Sequence, residues 1–555
     1  MHLVKRLVSA VAYATLLARA ASTQASGSAV LGRDYTFPSL KDATLDHLGR
    51  GLNDGLFTSA HLVKTYMKRI HQVNEQLHAV TEINPDALDI AAHLDKQRAS
   101  GCILGRPLHG IPILIKNNIA TADRMNNTGT YCCAEPLPRD ATVASKLRQA
   151  GAIILGKANL SQWANFRSQN PTNGWSAHGG QVYGAYHEKQ DPSGSSSGSG
   201  VAADLGLAFA ALGSETDGSI LGPASANNVV GIKPTLGLTS RHLVIPISER
   251  LDTVGPLART VRDAAYLLQA IAGPDPRDKA TTVSPPQVAK ADYVAACNDK
   301  ALQGARIGVP WNVIEMFGPA EPFQTASFVQ AVEVLRQAGA TIVTSNFTQA
   351  KEISQSAAAL TVMMADFSSN LDTYLAELTC NPNQMRGLAD VLAWTHSHVQ
   401  EEWPQRDTNT WQEIIDTKAS NTDPRFWSFY TQALQVAARG GLLGAIETHC
   451  LDAVVLPTFA APEWAALVGA PAINVPLGYY PADTPVKMDQ TQQLVVQGPN
   501  MPFGMTFLGA KWTEERLIGL AHSYEQHTGT RGQQRQQVVP TAELASEPRE
   551  WLKRV

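Results

Sequence analysis

Seven short apolar runs recur along this chain, at 111–115, 152–155, 207–212, 306–309, 341–343, 453–456 and 472–475. Such runs are short for buried helices and suit strands covered on both sides. Between them lie segments with apolar residues at helical spacing. In one, 59–73, Leu62, Val63, Tyr66, Ile70 and Val73 form a stripe and Thr58 is placed to cap the first turn. A second helix is predicted over 85–98, opening on Pro85-Asp86. A strand at 501–509 and a helix at 514–526 close the pattern. Strands alternating with helices predict an α/β fold, a mixed and mostly parallel central sheet with helices on both faces. The stretch 280–445 is richer in helix, with amphipathic segments at 363–378 and 387–399 whose aromatic and methionine residues read as packing.

A chain of 555 residues could hold two or three domains, and its 44% hydrophobic and 17% charged content supplies ample core. The reading adopted is a single domain over 26–555 behind a leader at 1–25. A net charge of −4 gives no footprint for nucleic acid. Cys102, Cys132, Cys133, Cys297, Cys380 and Cys450 form no C-x-x-C pair, and the 15 histidines contain no H-E-x-x-H. Neither a metal nor a cofactor is expected. The even cysteine count permits disulfides, which a core of this size does not need.

At the N-terminus, Lys5 and Arg6 precede an apolar stretch at 7–18, and Ala18-Arg19-Ala20 has the small-residue pattern of a cleavage site. This predicts a secretory signal peptide, too short for a span, and no integral membrane span in the mature chain. The first acidic residue is Asp34, so a mitochondrial presequence is the alternative. Asn126-Asn127-Thr128 and Asn346-Phe347-Thr348 are glycosylation sequons that acquire meaning only in a secreted chain. A third, Asn159-Leu160-Ser161, is expected to be inaccessible.

Three segments carry candidate chemistry. Lys116 ends the apolar run of His109-Gly-Ile-Pro-Ile-Leu-Ile-Lys116. A lysine acts as a base only when neutral, which at neutral pH demands a depression of roughly three units, or about 4 kcal/mol. Burial beside a sheet can supply that, although a lysine in such a run can also snorkel. Ser195 sits in Pro192-Ser-Gly-Ser-Ser-Ser-Gly-Ser-Gly200, a composition typical of flexible linkers. It nevertheless leads straight into the apolar stretch 201–212, and a Walker-type Gly-Lys-Ser/Thr is absent. Ser219 ends Glu215-Thr-Asp-Gly-Ser219, where Gly218 permits unusual backbone angles and successive N–H groups can form an anion-binding concavity. An ordinary tight turn would read the same. No G-x-S-x-G elbow surrounds Ser219.

The order and spacing of these segments resemble the amidase signature family of serine hydrolases. Over about residues 40–530 the resemblance implies that fold, with Lys116 as base, Ser195 as bridging serine after a cis peptide, and Ser219 as nucleophile. The oxyanion would face the backbone N–H groups of Thr216, Asp217, Gly218 and Ser219. Many members have Asp-Thr-Gly-Gly-Ser-Ile-Arg, whereas this chain has Glu215-Thr-Asp-Gly-Ser-Ile-Leu221, with Asp217 for glycine and Leu221 for arginine. That variant, with Asn159-Leu-Ser-Gln-Trp-Ala-Asn-Phe-Arg167 and Gly174-Trp-Ser-Ala-His-Gly-Gly-Gln181, is similar to the branch of bacterial peptide amidases and plant amidases. The implied activity is hydrolysis of a small-molecule or peptide amide, with 280–445 helping to line the substrate cleft. Two alternatives are the amidase component of an amidotransferase complex and a non-catalytic binding protein on the same scaffold.

Overall fold

The central sheet has eleven strands. In chain order they are Val80–Ile83 (β1), Pro112–Lys116 (β2), Ile153–Ala158 (β3), Ala210–Glu215 (β4), Val230–Lys233 (β5), Thr253–Ala258 (β6), Arg306–Val309 (β7), Thr341–Thr344 (β8), Ala453–Pro457 (β9), Ala472–Tyr479 (β10) and Pro502–Leu508 (β11). Across the sheet the order is β1-β3-β2-β4-β6-β5-β10-β11-β9-β7-β8. The computed structural model describes residues 37–101, 106–125, 132, 139–378 and 381–546. The leader at 1–25, the sequon at Asn126, and Cys102, Cys133 and Cys380 lie outside these residues.

The expected α/β architecture is observed: a large mixed sheet sandwiched by helices. Every residue of β2, β3, β4, β6, β9 and β11 is buried. Successive strand side chains point to opposite faces, so both faces are covered. Parallel pairing joins β3-β2-β4 on one flank and β9-β7-β8 on the other, four pairings in all. The remaining six are antiparallel, so parallel pairing is confined to the flanks. Parallel neighbours need a crossover, and helices at Thr142–Gln149 and Ser197–Leu205 provide it on the first flank.

The helix predicted from 59 runs Ser59–Leu77, capped by Thr58, whose hydroxyl accepts the His61 N–H at 3.1 Å. The helix expected at 85–98 spans Ala87–Ala99, and that expected at 514–526 spans Glu514–Thr528. The run at 207–212 differs: its first residues precede β4, which begins at Ala210. The glycine–serine stretch likewise ends as the first turn of a helix, Ser197–Leu205. That helix is buried along its whole length, which explains why small residues fill its start.

The helix-rich region includes Ala358–Glu377, Leu388–Ser397, Asn409–Thr417 and Pro424–Gly440. Several of its aromatic and methionine side chains are core, as read from sequence, while Trp403 and Trp427 are exposed. Met364, Phe367, Tyr374 and Trp411 pack with Trp163, Phe166, Ile245 and Ile247. Trp163 meets Trp411 edge-on at 5.5 Å between ring centroids, and Phe166 meets Phe367 at 5.1 Å. These contacts place the helices over the loops that follow β3 and β5.

Candidate active site

Two adjacent parallel strands set the geometry. β2 ends at Lys116 and β4 ends at Glu215, with Ile115 opposite Leu212 in the pairing. Lys116 is therefore carried beside Ser214. Its Nζ donates to the Ser214 carbonyl at 3.1 Å and lies 3.0 Å from the Ser214 hydroxyl. A third contact, at 2.7 Å, is with the Ser195 hydroxyl. Lys116 and Ser195 are fully buried. Burial disfavours the ammonium and lowers the Lys116 pKa to about 7, while the charges of Glu215 and Asp252 pull it back up. Near neutral pH the amine can accept a proton.

Ser195 is held from both sides. The Gly194–Ser195 peptide is cis. Gly194 tolerates no side chain, because a Cβ would fall 2.5 Å from Ser161 Oγ and 2.6 Å from Asn165 Nδ2. The Ser195 carbonyl accepts the Ser161 N–H at 3.0 Å. The next residue, Ser196, donates its N–H to the Ser219 carbonyl at 3.1 Å, which joins the two serine-bearing loops. Gly198 presses so closely on Ala79 that a Cβ would lie 2.2 Å from that carbonyl oxygen. A segment clamped in this way is no linker.

Ser219 follows Gly218, whose φ of +85° is natural only to glycine. The Glu215 carboxylate accepts the N–H groups of Ile220 at 2.5 Å and Leu221 at 2.8 Å, shaping the turn from within. Burial raises the Glu215 pKa, with Lys233 opposing that rise. Thr216, Asp217 and Ser219 supply three of the four N–H groups expected to face an oxyanion. The N–H of Gly218, the fourth, acts instead on the Glu215 carboxylate. Asp217 is only partly buried, and its pKa is raised to about 7 by desolvation and by the nearby Glu215 and Glu463.

A cavity of about 440 Å³ opens beside Ser214 and Thr216, within the size range of small-molecule sites. Its polar floor includes Asn118 and Asp252, and its apolar walls include Ile245 and Tyr374. Tyr374, Asn370 and Thr373 come from the Ala358–Glu377 helix, which thus lines this cavity, whereas Lys116, Ser195 and Ser219 are not among its lining residues.

Sequence reasoning assigns no role to Ser214, Asp252 or Lys233. Ser214 and Asp252 are ordinary polar residues until strand pairing brings them to Lys116. Lys157 and Lys233 are a subtler case, since both are strand lysines with lowered pKa values, about 7 and about 8. Lys157 donates to the Ile119 carbonyl at 2.5 Å and Lys233 to that of Ala470 at 2.8 Å. Lys116 is the one that meets Ser195. Among the described residues no group of three or more His, Cys, Asp or Glu could hold a metal ion, and no helix is long and apolar enough to cross a membrane.

The chain is similar to known proteins over most of their length. A sequence from Arthroderma benhamiae named "Putative amidase" is 49% identical, covering 91% of this chain and 89% of that one. The solved native peptide amidase from Stenotrophomonas maltophilia is 35% identical, covering 91% of this chain and 100% of that one, with a TM-score of 0.79. More distant is a glutamyl-tRNA(Gln) amidotransferase chain from Synechococcus sp., 31% identical over 88% of this chain and 96% of that one. The amidase family profile spans residues 61–518, which contain every candidate site residue and all eleven strands of the central sheet, and so the chain belongs to the amidase family of hydrolases acting on amide C–N bonds.

Proposed function

We propose that the protein hydrolyses a carboxylic amide, with a primary amide as the expected substrate, through an acyl-enzyme on Ser219. The observation that carries this reading is the 2.7 Å contact between the depressed amine of Lys116 and Ser195, in a loop hydrogen-bonded to Ser219 itself. Ser219 Oγ attacks the carbonyl carbon and passes its proton to Ser195 Oγ, whose own proton moves to Lys116 Nζ. The oxyanion is received by backbone N–H groups of the 216–219 turn. The lysinium then returns a proton through Ser195 to the leaving nitrogen, releasing ammonia or an amine. Water repeats the sequence on the ester and frees the acid. No cofactor takes part.

Fluorophosphonate labelling tests the reading. Wild-type protein should be labelled at Ser219, and Ser219→Ala should lose both the label and at least about 10³-fold in amide turnover. Turnover by Ser219→Ala near the wild-type rate would refute the assignment. The alternative of an amidotransferase component draws on the more distant relatives, and it would require copurifying partner chains for activity. We also propose secretion, on the strength of the leader at 1–25.

A further inference from the structure

Thr216, at the start of the proposed oxyanion turn, donates its hydroxyl to Asp252 Oδ1 at 2.6 Å. The other oxygen of that carboxylate accepts the N–H groups of Ile247 at 2.8 Å and Ser248 at 3.0 Å. One side chain thus bridges two loops. The second loop, 245–252, walls the cavity and is itself gripped from outside. Ser248 Oγ donates to Asp366 Oδ2 at 2.6 Å, and the Arg250 guanidinium pairs with Asp366 Oδ1. Asn421 supplies a further hydrogen bond to Asp366 at 2.9 Å. Arg250 is also faced by the rings of Phe426, Trp427 and Tyr430, 5.0, 4.6 and 5.3 Å from their centroids. A continuous hydrogen-bonded path therefore runs from Asp366 through Ser248 and Asp252 to the turn that bears Ser219.

We propose that Asp252 is a positioning residue for amide hydrolysis, holding the oxyanion turn in register with the cavity wall that the helix-rich region clamps through Asp366 and Arg250. The role rests on the reading of Ser219 as nucleophile. Two properties follow. Without Asp252 the N–H groups of the turn lose their fixed aim, which lowers the chemical step more than substrate binding. Asp252 is also one of two carboxylates whose charge acts on Lys116, the other being Glu215. The groups facing Asp252 are the Thr216 hydroxyl, the N–H groups of Ile247 and Ser248, and the Arg241 charge. Neutralising Asp252 removes a negative charge that favours the lysinium, so Lys116 titrates at lower pH.

Two variants separate geometry from charge. Asp252→Asn should lower kcat by about tenfold or more with little change in KM, and should move the acidic limb of the pH–rate profile down by about half a unit or more. Thr216→Val keeps the charge and loses only the tether, so it should lower kcat and leave the limb in place. Unchanged kcat in both variants, or an unmoved limb in Asp252→Asn, overturns the proposal. Should Asp252→Asn not fold, Thr216→Val decides alone: a kcat loss with an unmoved limb supports the role, and wild-type kcat overturns it. Fluorophosphonate labelling of the wild type is run alongside. Failure to label Ser219 defeats the hydrolase reading itself, whereas normal labelling with wild-type-like variants defeats only the role of Asp252.

Discussion

Replacing Lys116 with methionine should stabilise the fold by an amount that depends on pH. Methionine keeps most of the volume of the buried stem and carries no charge. In the folded protein the Lys116 amine titrates near about 7, against an ordinary value of 10.5, and the cause is burial. A lysine with a lowered pKa binds fewer protons folded than unfolded. Its cost to stability is therefore fully present below about pH 7, shrinks as pH rises, and vanishes above about 10.5. With those two values the cost is about 4 kcal/mol at pH 7 and about 2 kcal/mol at pH 9. The substitution removes this cost and also the contacts with Ser195 and Ser214. Changes in packing and in those contacts do not vary with pH and cancel between the two conditions. The stability of Lys116→Met relative to wild type should then be greater at pH 7 than at pH 9 by about 2 kcal/mol. Equilibrium urea unfolding of both proteins at the two pH values measures this difference. An unchanged gap would mean that the amine is not depressed, and Lys116 would then be unable to serve as a base at neutral pH.

Three further outcomes are expected. Ser195→Ala should lower kcat by about 10²-fold or more, because the bridge to Lys116 is lost, whereas Ser197→Ala, whose hydroxyl donates to the Ser193 carbonyl at 2.6 Å and lies 3.5 Å from the Ser161 hydroxyl, should lose far less; equal losses in one assay would place the bridging role elsewhere in the loop. The pH–rate profile for wild type should rise through about pH 7 as Lys116 loses its proton, and a flat profile from pH 5 to 9 with chemistry rate-limiting would argue for another base. In protein isolated from its native secretions, peptide mass spectrometry should find a glycan on the exposed Asn346 and none on the buried Asn159, whose amide is bonded to the His78 carbonyl at 3.0 Å; an unmodified Asn346 would count against secretion.

Much of this site is legible in the unfolded chain. Lys116, Ser195 and Ser219 stand out because their local sequence is costly in any bland setting: a lysine closing an apolar strand, glycine and serine leading into core, and a glycine before a serine. What sequence cannot supply is anything created by pairing distant strands. β1, β5 and β6 are not among the predicted runs. β1 is short and only partly buried, and Gly231, Gly255 and Pro256 interrupt the apolar pattern of the other two. Without β6 there is no way to see that Thr253 lies opposite Glu215, which brings Asp252 to the oxyanion turn. The far end of the glycine–serine stretch is hidden for a related reason. Intrinsic propensity disfavours a helix at Ser197-Gly-Ser-Gly200, but burial against β2, β3 and β4 overrides it.

The clamp at Asp366 also bears on how such an enzyme could be refitted. The groups expected to break the amide all lie within 116–219, at the ends of two neighbouring strands and in the loop before the Ser197–Leu205 helix, and none belongs to the helices beyond residue 350. Those helices supply one wall of the cavity and reach the chemistry through loop 245–252 and through the packing of Trp163 and Phe166, next to Ser161. A graft that exchanged them for another set could change which acyl groups are admitted while leaving bond cleavage untouched. The exchanged segment would need to keep a buried acceptor where Asp366 now receives Ser248 and Arg250.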